Sequence, residues 1–115
     1  MKSRGYPWLK IYTDLPESPR LRRLSDAQKW RYIELYLLAG KADAGGLLAL
    51  DGEILTIADI AYHARQPIEV IEHDIETLVS AKLLETTDNG YLITSFIEEQ
   101  GTSHEAKREA WKERQ

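Results

Sequence analysis

The sequence contains no cysteine and no long apolar run. The first absence excludes a disulfide framework and a thiolate metal site, and it makes a cytoplasmic setting the default expectation. The second argues against a membrane-spanning helix, which needs about 18 consecutive apolar residues. The chain opens with Met1-Lys2-Ser3-Arg4 and continues into Tyr6-Pro7-Trp8, so we also expect no signal peptide and no membrane partner.

The motifs of common catalytic sites are also missing. The three histidines, His63, His73 and His104, lack the spacing of metal ligands. The glycines that follow Gly40-Lys41 do not have the spacing of a phosphate-binding loop, and no serine sits in a nucleophile elbow. We therefore predict a non-enzymatic binding module with no catalytic residue, metal, cofactor or small-molecule substrate.

The charge is distributed unevenly along the 115 residues, whose net charge is −4. Residues 1–31 carry eight lysines and arginines against three acidic residues, whereas residues 32–97 carry three against eleven. Residues 98–115 are nearly balanced, with four against five. A basic end on an acidic body is unlike a protein that coats DNA with one uniformly positive face.

Local signals predict three helices. Ser25 and Thr56 are good N-caps, and each is followed three residues later by a side chain that completes a capping box. Gly40 is placed to end the first helix, and Pro67 suits the first position of the third. The third helix carries an apolar stripe of Ile71, Ile75, Leu78 and Val79.

The first of these helices is predicted to lie at the centre of the fold. Trp30, Ile33 and Leu37 line one face, and further apolar residues extend this surface almost round the helix: Tyr32, Leu35, Tyr36 and Ala39. A helix with so little polar surface is normally covered on several sides.

Strands are predicted on both sides of the second and third helices. Residues 8–13 alternate in polarity and predict a short strand or an extended arm, and Leu47–Leu50 predicts a buried strand closed by Asp51-Gly52. Residues 82–87 and 91–94 flank Asp88-Asn89-Gly90 and predict a β-hairpin, because an Asn-Gly pair favours the positive φ angles of a tight turn.

The order of these elements is that of a winged helix. We predict an α+β, mainly helical winged helix-turn-helix with a C-terminal β-hairpin wing and a short N-terminal strand or arm. Residues 1–24 form the arm and basic segment, residues 25–97 the winged-helix domain, and residues 98–115 a charged tail. The tail is expected to be a helix from Ser103 or to be disordered.

Several segments also resemble the N-terminal winged-helix domain of phage-type replication initiators, or replisome organisers. They are residues 8–15, 20–26, Trp30-Arg31, 45–48, 71–78, 83–85 and 91–96. The resemblance implies a domain that helps to load replication machinery, often through self-assembly and contact with DNA. In one departure, Lys82 stands where such domains usually place a glycine; a left-handed lysine there costs about 1 kcal/mol.

The third helix is a poor candidate for reading a DNA groove. It carries four carboxylates, Glu69, Glu72, Asp74 and Glu76, and no lysine or arginine. One carboxylate accepts a hydrogen bond from cytosine, but four without a cation are repelled by phosphates. The predicted wing also lacks cations between Thr86 and Tyr91. We instead predict that Glu69, Glu72 and Glu76 contact a protein partner.

The candidate DNA contacts therefore come from the basic segment. They are Arg20, Arg22, Arg23, Lys29 and Arg31, with Lys2, Arg4 and Lys10 upstream. Arginines matched to phosphate oxygens give affinity that depends on salt and not on sequence. The alternative is that these arginines pair with the acidic body or with a neighbouring subunit.

Aromatic residues offer a third kind of site. Trp8, Tyr12, Trp30, Tyr32 and Tyr36 have the composition of a base-stacking platform, but the spacing of those in the first helix favours core packing. The arm differs, because a short apolar strand near a terminus often adds to a neighbour. We predict a homodimer anchored by Trp8, Ile11 and Tyr12.

Two functions of different classes follow. The first is a DNA-associated domain of a replication initiator, held to phosphates by the basic segment. The second is a protein-interaction winged helix that dimerises or assembles a replisome without touching DNA. A sequence-specific transcriptional regulator is a third option, weakened by the same lack of cations on the third helix.

Overall fold

The computed structural model describes residues 8–88 and 90–100. Its helices are α1 (Pro19–Arg22), α2 (Asp26–Ala42), α3 (Ile57–Ala64), α4 (Ile68–Ser80) and α5 (Phe96–Gln100), and a short 3-10 helix spans Leu15–Glu17. Its strands are β1 (Ala49–Leu50), β2 (Glu53–Ile54), β3 (Leu84–Thr86) and β4 (Tyr91–Ile93). The fold is α+β and mainly helical, as predicted. Its arrangement is compatible with a winged helix in which α3 and α4 form the helix-turn-helix.

Helix α2 begins as the sequence predicts but ends later. Ser25 Oγ accepts a hydrogen bond from the backbone of Gln28, and the Gln28 side chain accepts one from the backbone of Ser25, which completes the capping box. The helix continues through Gly40 and ends before Asp43, which is left-handed at φ 55°. The prediction that Gly40 ends the helix was wrong. A Cβ at Gly40 would lie 2.6 Å from Leu9 Cδ1, so the glycine lets the Leu9 side chain of the arm approach the helix closely.

The central position of α2 is confirmed, but the face predicted to be covered is partly exposed. Trp30 is 57% exposed and Leu37 is 45% exposed, and Ile33 is half-buried. The buried residues of α2 lie on the opposite side and include a charged one: Arg31, Tyr32, Leu35, Tyr36, Ala39 and Gly40. The period of the pattern was right, but apolar residues occur all round the helix and do not show which side faces the core.

The second and third helices follow the predicted signals closely. Thr56 and Asp59 form a complete capping box at the start of α3. Helix α4 begins at Ile68, one residue after the position expected from Pro67, and its stripe of Ile71, Ile75 and Leu78 is buried. Such one-residue differences are common at helix ends.

Both α3 and α4 end on a left-handed cation. Arg65 has φ 58° and Lys82 has φ 65°. In each case the next residue donates to the carbonyl five positions back, from Gln66 to Ala61 and from Leu83 to Leu78, which is a Schellman motif. Lys82, which stands where related domains usually place a glycine, is therefore left-handed.

The strands form two hairpins, of which the sequence predicted one. Between β1 and β2, Asp51 and Gly52 both have positive φ, at 52° and 84°, as a tight two-residue turn requires. The Asp-Gly pair signals this hairpin, but only its first strand was predicted. Residues 46–48 also pair with β4, because Leu48 N–H donates to the carbonyl of Tyr91 at 2.9 Å.

The predicted hairpin pairs Leu84 with Ile93 and Thr86 with Tyr91. Asn89 lies outside the described residues. Because Asn89 precedes Gly90, the positive φ predicted for this pair stays a prediction. A Cβ at Gly90 would lie 2.5 Å from Ile54 Cγ2, so the glycine lets β2 pack against the turn.

The segments that flank the predicted domain contribute to its core. Residues 8–12 form no strand and no helix, so of the two predicted possibilities the strand is wrong and the segment is an arm. Leu21, Leu24 and Phe96 are buried in the main core cluster, and α5 crosses the predicted boundary between residues 97 and 98. Residues 1–7 and 101–115, with Lys2, Arg4 and the predicted tail helix, lie outside the described residues.

Candidate nucleic-acid interface

Two leucines anchor the basic segment that precedes α2. Leu21 and Leu24 are 5% and 6% exposed and hold this part of the backbone against the core. The side chains of Arg20, Arg22 and Arg23 remain exposed. In the part of the chain that the structure describes, none of these three arginines forms an ion pair with a carboxylate. Three positive charges are thus presented from a fixed backbone.

The structure places the backbone of Lys82 beside Arg20. Arg20 Nη1 donates a hydrogen bond to the carbonyl oxygen of Lys82 at 3.2 Å, which joins α1 to the C-terminal end of α4. The Lys82 side chain is exposed. Sequence reasoning did not place Lys82 here, because the contact joins positions 62 residues apart and no local signal reports it.

Arg31 does not belong to this exposed group. It is 6% exposed, its Nε donates to Asp74 Oδ2 on α4 at 2.9 Å, and its Nη1 pairs with Glu34. The prediction that Arg31 contacts DNA is corrected by the structure, because a phosphate would have to displace a buried ion pair. For Arg31 the alternative interpretation, pairing with the acidic body, is the one observed. Lys29, the remaining candidate, is half-buried.

The outer face of α4 carries the three glutamates that were predicted to contact a partner. Glu69, Glu72 and Glu76 are all exposed, whereas Asp74 is turned inward to Arg31. No lysine or arginine lies on α4 to offset them. This face is negatively charged and would repel a phosphate backbone.

The three arm residues that were predicted to anchor a dimer are exposed. Trp8, Ile11 and Tyr12 are 72%, 53% and 50% exposed. The arm itself is held in place, because Leu9 packs against Gly40 of α2. The structure therefore leaves at least half of each of these side chains exposed on an anchored backbone.

A polar cluster fastens the arm to α5 and α2. The Gln100 side chain accepts a hydrogen bond from the backbone N–H of Lys10 at 3.0 Å and donates one to its carbonyl at 2.9 Å. Tyr36 donates to Glu99 Oε1 at 2.5 Å and accepts from Gln100 at 3.0 Å. The Tyr12 hydroxyl donates to the carbonyl of Glu99 at 3.2 Å.

Two of the aromatic residues weighed as a stacking platform are core residues. Burial raises the pKa of Tyr32 to about 12, and the negative charge of Glu99 adds to the rise. Burial also raises the pKa of Tyr36, and so does its hydrogen bond to Glu99. Both rings are packed inside and do not offer a face to a nucleobase, as their spacing predicted.

Two other kinds of site do not occur among the described residues. They contain no group of three or more His, Cys, Asp or Glu side chains placed to hold a metal ion. They also contain no helix with the length and apolar character of a membrane span.

The family model of the N-terminal phage replisome organiser matches residues 8–115. The chain belongs to this family. The match begins at Trp8 and covers the arm, the basic segment and every element described above. No curated protein and no solved structure matches this replisome organiser domain. The family resemblance that the sequence indicated is confirmed.

Membership places this replisome organiser domain in phage DNA replication. The exposed arginines of the basic segment, the glutamates of α4 and the apolar arm are three surfaces on which such a domain can meet other molecules. They differ in charge and chemistry, so each suits a different class of partner.

Proposed function

We propose that this replisome organiser domain is a non-enzymatic module that binds DNA through Arg20, Arg22 and Arg23. The observation that carries the proposal is that all three side chains are exposed, lack a carboxylate partner among the described residues and extend from a backbone held by two buried leucines. Lys82 lies beside them through its contact with Arg20. Guanidinium groups in this setting bind phosphate oxygens of any base sequence.

The charge on α4 supports phosphate binding from the basic segment rather than groove reading. Glu69, Glu72 and Glu76 face outward where the recognition helix of a winged helix meets bases. Pushing them between two rows of phosphates adds repulsion at distances below the Debye length of about 8 Å. We infer that α4 faces away from the duplex, so a role as a sequence-specific transcriptional regulator is disfavoured.

The test is duplex binding measured against salt concentration. The parent protein is compared with a variant in which Arg20, Arg22 and Arg23 are all changed to alanine. Each lost phosphate contact makes the slope of log affinity against log salt shallower by about 0.9, so the triple alanine variant should have a shallower slope than the parent. A matched variant with three Arg→Lys changes keeps the charge and should keep most of the slope. A parent that fails to bind duplex DNA at low salt would rule out the proposal.

A second candidate function, self-association through the arm, is favoured by the exposure of Trp8, Ile11 and Tyr12. Exposed aromatic side chains on an anchored backbone are typical anchors of protein interfaces. A homodimer would also bring two basic segments together and would raise the apparent affinity for DNA. Light scattering of the parent and of Trp8→Ala tests this: the variant should be monomeric, and a monomeric parent would exclude the arm as a dimer contact.

The glutamates of α4 suit a further protein contact. Their side chains are exposed on one helix without a cation, which is complementary to a basic surface on a replication protein or on a sister subunit. This contact can coexist with DNA binding, because it uses a different element from the arginines.

A further inference from the structure

An open surface cavity of about 720 Å³ lies at the corner between α3 and α4. Its walls include Ala61 and Tyr62 from α3, Arg65 from the turn, and Pro67 and Ile68 from the start of α4. It is open to solvent over most of its extent, so a ligand would lie against its walls and would not be enclosed. Neither the basic segment nor the arm contributes to it.

Tyr62 is the most exposed of the large hydrophobic residues in the described ranges, at 81%. Ile60 and Ala61 face the core, so the helix turns the next side chain toward solvent. The Tyr62 ring meets His63 edge to face, with ring centres 5.6 Å apart and planes at 79°. The Tyr62 ring is therefore exposed to solvent at the edge of the cavity and does not contribute to the core.

The lining of the cavity carries a cation, and the glutamates of α4, Glu69 and Glu72, are exposed beyond its edge. Arg65 is the cation that lines it, His63 lies beside it, and no carboxylate is among the lining residues. The exposed Arg65 forms no ion pair in the part of the chain that the structure covers. On α3 the carboxylate of Asp59 is engaged with the backbone N–H of Thr56, a contact that also lowers the Asp59 pKa.

These features together specify the chemistry of a ligand. The open ring of Tyr62 and the apolar Pro67 and Ile68 suit a flat apolar group, and Arg65 suits an anion attached to it. A nucleotide has both parts. Its base has to be unpaired, because the faces of a base inside a duplex are covered by the neighbouring base pairs.

We propose that the α3–α4 corner binds an unpaired nucleotide of single-stranded DNA, with the base stacked on Tyr62 and a phosphate on Arg65. The site adds to the proposed function, from which it takes only the premise that the domain meets DNA. It is made of different residues, so either proposal can fail without the other.

The experiment measures fluorescence anisotropy of a labelled oligothymidine and of a labelled duplex of equal length. Tyr62→Ala should weaken oligothymidine binding about tenfold, as expected for the loss of one stacked base. Duplex affinity should stay within about twofold of the parent, because a paired base does not reach the ring. Tyr62→Phe keeps the ring and should bind as the parent does, and Trp30→Ala, which removes an exposed aromatic residue from α2, is the matched control.

A second variant tests the phosphate contact. Arg65→Gln removes one charge from the corner and should make the salt slope for oligothymidine shallower by about 0.7. The slope for the duplex should not change. Because Tyr62 and Arg65 are exposed, both variants should keep the parent's circular dichroism spectrum and melting temperature.

Oligothymidine binding that Tyr62→Ala leaves unchanged would overturn the proposal, even if the three arginines prove to bind duplex DNA. An equal loss on duplex and single strand would also overturn it, since the base would then not need to be unpaired. The last measurement uses a labelled glutamate-rich peptide. If Tyr62→Ala weakens binding of this peptide and not of oligothymidine, the occupant is an anionic peptide and the assignment to DNA is wrong.

Discussion

At the scale of single residues, Arg31 and Asp74 form the one ion pair between two buried side chains in the part of the chain that the structure describes. Two charges have been taken out of water here, and their mutual attraction and the additional contact with Glu34 offset that cost. The pair joins α2 to α4, so it bears on how those helices fit together.

Asp74→Ala should lower the free energy of unfolding by about 3 kcal/mol, because it leaves a buried guanidinium with only a partly exposed partner. Replacing both residues with apolar ones, Arg31→Met with Asp74→Leu, should recover most of that loss. Urea unfolding measures both. Glu34→Gln, at the exposed end of the network, should cost less than about 1 kcal/mol. Equal losses for Asp74→Ala and Glu34→Gln would contradict this account.

At the scale of elements, the arm and α2 fit each other through Leu9 and Gly40. A Cβ at Gly40 would lie 2.6 Å from Leu9 Cδ1, so a larger residue at position 40 displaces the Leu9 side chain that packs there. In an isolated helix, replacing a glycine with alanine would stabilise the helix by up to about 1 kcal/mol. The preference of the helix and the packing of the arm are therefore opposed at this position.

Gly40→Ala should loosen the arm with little loss of global stability. Trypsin should cleave after Lys10 faster than in the parent, while the melting temperature changes by only a few degrees. Leu9→Ala combined with Gly40→Ala makes room for the new methyl group and should restore part of the protection. Cleavage after Lys10 at the parent rate in Gly40→Ala would show that the close approach does not hold the arm.

The elements that the sequence predicted well depend on neighbours in the chain. Each capping box is complete within four residues, Ser25 to Gln28 and Thr56 to Asp59, so local sequence determines it. Gly40 was misread because its partner, Leu9, is distant in sequence and belongs to another element. The burial of Arg31 was missed for the same reason, since Asp74 is 43 positions away.

Some residues of the candidate sites could also be predicted from local sequence, and others could not. The exposed arginines of the basic segment could be predicted because a run of charges is normally solvated. Lys82 and the corner cavity could not, since both depend on how α1, α3 and α4 pack. For Tyr62 a signal did exist: the apolar spacing of Ile57, Ile60 and Ala61 places Tyr62 on the outer face of α3.

At the scale of the whole molecule, Tyr32 and Tyr36 make the stability of the fold depend on pH. Both residues lie on α2 and interact with α5. The pKa of each hydroxyl is raised in the folded protein above its ordinary value, by burial first. The folded state therefore holds these protons more tightly than the unfolded state. Their contribution is fully present below about pH 10 and is lost as the pH rises through the folded-state pKa values.

The free energy of unfolding should therefore fall as the pH rises from about 10 to 12. Tyr36→Phe removes one of the two hydroxyls and should make this fall shallower. Tyr62→Phe alters an exposed tyrosine and should leave it unchanged. Urea unfolding at a series of alkaline pH values measures all three proteins, and identical pH dependence for Tyr36→Phe and the parent would contradict the assignment.

In the two Schellman motifs Arg65 and Lys82 adopt left-handed backbone angles. Glycine adopts these angles at a free-energy cost that is lower by about 1 kcal/mol per residue. A protein engineer seeking heat tolerance would replace both with glycine at once. These substitutions would remove the side chain of Lys82, whose backbone contacts Arg20, and the side chain of Arg65, which lines the corner cavity. By the two binding proposals made above, the variant with two glycines should be more stable and should bind nucleic acid less tightly.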